Sequence, residues 1–199
     1  MIAIIDYGMG NLRSVQKAIE LAGGETCVTQ DAAQIRGADK VVLPGVGAMR
    51  PAMEQLKRLE LIPEIESAVK AGKPFLGICL GYQLLFQSSD EGGVVAGLGI
   101  LSGPVVKFAS LKIPQMGWNQ IELRQKDCPL YQGVPEGSYV YFCHSYHPYP
   151  ADNSIIATTT KYGMDFASSV CRGRLFGVQF HPEKSQGVGK KILENFVKL

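Results

Sequence analysis

Three short apolar runs, Ile2 to Asp6, Val41 to Pro44 and Phe75 to Ile78, alternate with segments of helical period in the first half of the chain. A strand that is apolar at almost every position has to be covered on both faces. A helix that returns the chain between two such strands makes them parallel. The rhythm therefore predicts an α/β fold with a mixed, mainly parallel central sheet flanked by helices. In the first helical segment Leu12, Val15, Ile19 and Ala22 share a face, Asn11 is the expected N-cap, and Gly23-Gly24 supplies the stop. A second helix is expected from Gly47 through Leu59, and another from about Pro63 to Ala71, ended by Gly72.

From about Gly92 onward the pattern changes to strand-like runs separated by Gly, Pro and Asn: WNQIEL, SYVYFCH, SIIATTT, DFASSV and RLFGVQF. These predict antiparallel strands added to the sheet. The chain closes on a helical stripe of Val188, Ile192, Leu193 and Phe196 that should pack on it. With 199 residues, 46% of them hydrophobic, and no linker or repeat, residues 1–199 read as a single domain.

A net charge of +2 with scattered Lys and Arg provides no footprint for nucleic acid or a membrane surface. The start MIAIIDYGMGN lacks the basic opening of a secretory signal, and no run approaches the length of a membrane span. Five cysteines, odd in number, widely spread and without Cys-x-x-Cys, indicate neither a disulfide framework nor a zinc ribbon. All five are expected as reduced thiols in the cytoplasm.

Chemistry concentrates in KPFLGICLGYQLLF. An apolar strand there runs into Gly77-Ile78-Cys79-Leu80-Gly81 and then a short amphipathic helix, the strand-to-helix elbow with cysteine in the nucleophile position. So tight a turn leaves no room for a Cβ at Gly77 or Gly81, and a helix start favours a thiolate on Cys79. A thiol nucleophile needs a base, and LFGVQFHPEKS offers His181 at a strand end. Glu183, two residues on along extended chain, is placed to accept the second ring proton. In VVLPGVGAM, Pro44-Gly45-Val46-Gly47 precedes a helix and could turn backbone N–H groups toward an oxyanion, with the N–H of Leu80 as the other donor.

Other readings of these residues stand beside this one. Cys79, His181 and Glu183, with His144 or His147, could bind zinc, and a scaffold of the same fold could lack catalysis. Neighbours Cys143 and His144 face opposite sides of a strand, and YVYFCHSYHPY reads as a packed strand. Gly8-Met9-Gly10 lacks the third glycine of a dinucleotide fingerprint.

Taken in order, the elbow, PGVG and HPEKS resemble the class I glutamine amidotransferases, a flavodoxin-like family, over essentially the whole chain. DYGMGNL, QMGWNQ, YFCHSY and the Lys184-Ser185 after Glu183 narrow the resemblance to glutaminase subunits of imidazole glycerol phosphate synthases. The resemblance implies hydrolysis of glutamine to glutamate and ammonia with no cofactor or metal. It also implies delivery of the ammonia to a separate (β/α)8 cyclase subunit in a heterodimer. It places the triad on Cys79, His181 and Glu183, the oxyanion hole on the backbone of Val46, Gly47 and Leu80, and glutamine binding on Gln83, Ser145 and Tyr146. Asn11, Trp118, Asn119 and Lys184 fall on the side that faces the cyclase. Activation by the partner's ligand is implied as well, through reorientation of an oxyanion donor at Val46 or Gly47. Glutaminases serving pyridoxal phosphate, anthranilate or guanylate synthesis share the triad and are the nearest alternatives.

Overall fold

The computed structural model describes residues 1–109 and 112–199. Its first half runs β1 (Ile2–Ile5), α1 (Leu12–Leu21), β2 (Thr26–Thr29), α2 (Ala32–Gly37), β3 (Lys40–Gly45), α3 (Met49–Arg58), α4 (Ile62–Lys70), β4 (Phe75–Cys79) and α5 (Leu80–Leu84). Next come β5 (Phe86–Ser89), β6 (Val95–Ala96), β7 (Leu101–Lys107), β8 (Gln115–Gln120), β9 (Glu122–Leu123), β10 (Tyr139–His144) and β11 (Tyr146–Pro148). The last elements are β12 (Ile156–Tyr162), β13 (Met164–Arg172), β14 (Leu175–Val178) and α6 (Gln186–Lys198).

Eight strands form the main sheet in the order β2-β1-β3-β4-β14-β13-β12-β9. The pairs from β2 to β14 are parallel, and those from β14 to β9 antiparallel. Period-two alternation divides the core between the faces. On one side Ile2, Ile4, Val42, Leu76, Ile78 and Val178 meet Val15 and Ile19 of α1 and Ile192, Leu193 and Phe196 of α6. On the other, Ala3, Ile5, Val41, Leu43 and Phe75 meet Ile35 of α2, Leu56 of α3 and Ile65 of α4. Burial on both faces is why β1 and β4 carry no polar side chain.

The helices follow the expected boundaries closely, and Gly23 and Gly72 stop α1 and α4 with φ of 90° and 69°. Asn11 holds the N-cap position, but its side chain makes no capping hydrogen bond, because its ψ of 64° departs from extended cap geometry. The second half differs in detail from the expected additions. Only β9, β12 and β13 extend the sheet antiparallel, while β14 inserts parallel to β4. WNQIEL breaks at Ile121, so β8 pairs with β10 as a separate two-stranded ribbon. A further sheet, β11-β7-β5-β6, covers the chain beyond α5. Among the described residues, no helix is long and apolar enough to cross a membrane.

Close approach at α5 depends on two glycines. A Cβ on Gly81 would strike the Leu43 carbonyl of β3, and one on Gly77 would lie 2.8 Å from the Gly81 carbonyl oxygen. Gly81→Ala should therefore lower the urea midpoint by the equivalent of ~2–3 kcal/mol. Gly37→Ala, at the end of α2 with open space at its Cβ, should leave the midpoint unchanged or raise it.

Candidate active site

Register brings three loops together at the C-terminal edge of the parallel strands, where α/β sheets place their sites. Gly45, the last residue of β3, lies opposite Cys79, the last of β4. Val178 of β14 lies opposite Ile78, so Gln179, Phe180 and His181 run past the edge alongside Cys79. Cys79 itself has φ 55° and ψ −109°, a conformation unfavourable for a side chain with a Cβ. The strain accompanies an elbow that faces the sulfur into a cavity instead of the core. Only five residues follow in α5, so its dipole is small.

His181 Nδ1 lies 2.8 Å from Glu183 Oε1, with side chains only 5% and 2% exposed. The two residues meet by a route other than the expected extended chain. His181 is extended, but Pro182–Lys184 form a 3-10 turn that folds the carboxylate back onto the ring. Ser185 secures the turn: its hydroxyl donates to the His181 carbonyl at 2.6 Å and accepts from Tyr141 N at 3.0 Å. His181 N donates in turn to the Tyr141 carbonyl of β10 at 2.9 Å.

Burial pushes the His181 imidazole down. Interactions with Cys79 and Glu183 overcome that and hold its pKa at about 10. Glu183 Oε2 has no hydrogen-bond partner among the described residues, so the ring is the carboxylate's side-chain partner. The ring is thereby held toward its protonated form, with Nδ1 tied up by Glu183.

Two glutamines complete the sulfur's surroundings. Gln83 Nε2 donates to Gln179 Oε1 at 3.1 Å and to the Tyr146 carbonyl at 2.9 Å. With its oxygen so engaged, Gln179 turns its amide nitrogen toward Cys79 Sγ, 3.8 Å away. Sequence reasoning missed Gln179 because RLFGVQF looks like plain strand. His144 Nδ1 donates to the same Tyr146 carbonyl at 2.8 Å, so Gln83 and His144 jointly fix the Ser145-Tyr146 segment. His144 packs among Phe108, Phe142 and Phe166, and burial drives its pKa down to about 3. It is thus neutral and structural, while the carbonyl of Cys143 faces Cys79 Sγ at 4.0 Å.

Val46, Gly47, Cys79, Leu80, Gln83, Ser145 and Tyr146 line one cavity of about 250 Å³. Tyr7, buried beneath it, donates to the Pro44 carbonyl at 2.9 Å and so braces β3 just before Val46-Gly47. Gly47 has φ 94°, a conformation glycine adopts at little cost. Glu91 also borders the cavity and was not anticipated, since DEGG reads as an ordinary turn. One of its carboxylate oxygens accepts from Met49 N, the first residue of α3, at 3.1 Å.

The outer face of the β8–β10 ribbon carries Met116, Trp118 and Tyr139, which are 65%, 46% and 55% exposed. Tyr141 shares that face, its ring 6.1 Å from Trp118 and 5.7 Å from Lys184 Nζ. Asn11 is exposed at the start of α1, which packs against the Pro182–Lys184 turn. Asn119 differs: strand alternation puts it on the other face, where its amide donates to the Lys161 carbonyl at 2.9 Å. Cys143, on the outer face, also lines the cavity, so the apolar patch leads to the cavity wall.

Residues 3–199 match the family described as glutamine amidotransferase class-I. The chain is 52% identical to "Imidazole glycerol phosphate synthase subunit HisH" of Syntrophotalea carbinolica, over 98% of both chains. It is 50% identical to the protein of the same description from Moorella thermoacetica, over 100% of this chain and 94% of that one. Among solved structures, PurLQS from Thermotoga maritima superposes with a TM-score of 0.79 at 20% identity, covering 99% of this chain and 97% of that one, a likeness of fold.

The His181 pKa lies above its unfolded value near 6.5, so folding favours the protonated ring. That stabilisation is complete below pH 6.5 and is lost as pH rises through about 10. Glu183→Gln should therefore lower stability on the order of 3 kcal/mol at pH 6. The gap to wild type should narrow in urea titrations at pH 8 and pH 10. A gap of constant size would show that ring and carboxylate share no charge.

Proposed function

Since this chain belongs to the class I glutamine amidotransferases, we propose that Cys79, His181 and Glu183 act as a catalytic triad on the side-chain amide of glutamine. The chain is the glutamine amidotransferase subunit of an imidazole glycerol phosphate synthase and serves histidine biosynthesis. The observation that carries the triad is the buried His181–Glu183 pair, held at 2.8 Å beside the strained Cys79.

The Cys79 thiolate, supported by the Gln179 amide, attacks the substrate's carbonyl carbon. The oxyanion that forms is received by backbone N–H groups of Leu80 and of Val46 or Gly47. His181 gives its Nε2 proton to the departing nitrogen, and ammonia leaves with a glutamyl thioester on Cys79. The ring then takes a proton from water, and the hydroxide formed releases glutamate and restores the thiolate. Throughout, Glu183 stabilises the imidazolium and fixes Nδ1 as a donor.

Substrate is held by the cavity wall that Gln83, Ser145 and Tyr146 build, with Glu91 as the anion facing the α-ammonium group. Residues 1–199 act together as one amidotransferase domain. The partner is the synthase's other subunit, a (β/α)8 cyclase that takes up the ammonia within a cytoplasmic heterodimer. Its docking surface is the Met116, Trp118 and Tyr139 face, flanked by Asn11 and Lys184, with Asn119 bracing the ribbon from behind. Burying that apolar patch seals the exit from the cavity and keeps ammonia from protonation in bulk water. Val46, 42% exposed beside Gly47, is placed for the partner to adjust the oxyanion peptide.

In the complex with the cyclase, Cys79→Ala should abolish glutamate release while product formation from added ammonium salt continues. Glutamine turnover by that variant would refute the nucleophile. Glu91→Gln should raise the KM for glutamine at least tenfold with a smaller change in kcat, the mark of lost binding rather than lost chemistry.

A further inference from the structure

Cys128 and Cys171 are distant in sequence and take no part in the chemistry above. Cys128 opens the 3-10 turn Pro129–Tyr131, and its N–H donates to the Gln125 carbonyl at 3.3 Å. Cys171 lies near the end of β13, where its carbonyl accepts from Gln125 Nε2 at 3.3 Å. Gln125 thus ties the two segments together. The Cys171 thiol points toward the Gly173 carbonyl, 3.9 Å away. Both cysteines are free, only 3% and 9% exposed, and both line a cavity of about 480 Å³ with Asp127 and Ser154. The cavity leaves room for a reagent beside the sulfurs.

The arrangement divides the two thiols into unlike roles. The Cys128 hydrogen bond holds the Cys171 thiol below its usual range, against burial and the charge of Asp127. That same hydrogen bond, followed by burial, pushes Cys128 far up. Cys171 is therefore the readier of the two to ionise and attack, and Cys128 the one to follow, an order that suits exchange with a disulfide.

We propose that Cys128 and Cys171 form a modification site that closes reversibly to a disulfide, with a low-molecular-weight disulfide as oxidant. The Cys171 thiolate attacks one sulfur of the oxidant, forming a mixed disulfide and expelling the first thiolate. Cys128 then loses its proton and attacks Cys171 Sγ, expelling the second. The chain gives up two electrons and two thiol protons, and the oxidant leaves as two thiols. Cys171 pairs with Phe176, near the start of β14, and the neighbouring Leu175 pairs with Phe75 at the start of β4. The site is therefore at the end of the sheet opposite Cys79, and the inference does not rest on the proposed function.

The test equilibrates the full-length wild-type chain in glutathione buffers of rising oxidised fraction, traps it with acid and alkylating agent, and digests it with trypsin without reductant. The expected product joins peptide 127–161 to peptide 162–172, with fragment ions placing the link on Cys128 instead of Cys143. Free thiols should fall by two from the five in the chain, and reduction should restore them. Closing the loop should raise the wild-type unfolding temperature by several degrees and leave Cys128→Ser unmoved. Five thiols retained throughout, a link through Cys143, or glutathione adducts without a link would overturn the proposal.

Discussion

Backbone meets backbone where β4 bends into α5. Gly81 rests on the Leu43 carbonyl of β3, and Gly77 lies beneath Gly81 and Tyr82. This contact holds Cys79 in a conformation that costs about 1–3 kcal/mol, sustained by the surrounding packing. The same turn sets the neighbouring strand, because the Tyr82 ring fills the space over Gly177 of β14 where a Cβ would sit. One tight bend therefore aims the sulfur and reserves the slot from which Gln179 and His181 emerge beside it.

Electrostatics then build on that placement. Burial alone would push the imidazole toward its neutral form, and its neighbours Cys79 and Glu183 reverse the outcome. His181 and Glu183 are fixed by the sheet edge and by a turn that Ser185 pins at two points. The cavity walls come instead from loops and the small sheets, where Gly47 provides backbone freedom. Rigid parts hold the ion pair, and parts with more backbone freedom line the cavity.

Much of this was legible in the residues. The alternation of apolar runs with helical segments determined the parallel half of the sheet, since local period encodes local structure. Gly77, Gly81 and the His181-Pro182-Glu183 segment exposed the site because close approach and proton sharing demand particular residue types at short spacing. What escaped depends on contacts between distant segments. Gln179 resembles any polar strand residue until Gln83 orients its amide. Glu91 resembles a turn residue until α3 and the cavity meet it. The detachment of β8 and β10 from the main sheet, and the meeting of Cys128 with Cys171, follow from register and packing that no local pattern carries.

The position of β14 bears on how the molecule comes into being. Among the described residues it is the last strand in chain order, yet it lies between β4 and β13 in the middle of the sheet. During translation the early parallel strands and the β12–β13 hairpin present two unpaired edges that wait for one late segment to join them. Because that segment leads straight into His181, completing the sheet also carries the imidazole to the edge where Cys79 lies. Until that strand is seated, Cys79 and His181 have no common edge to share, so their meeting is reserved for a chain whose sheet is closed.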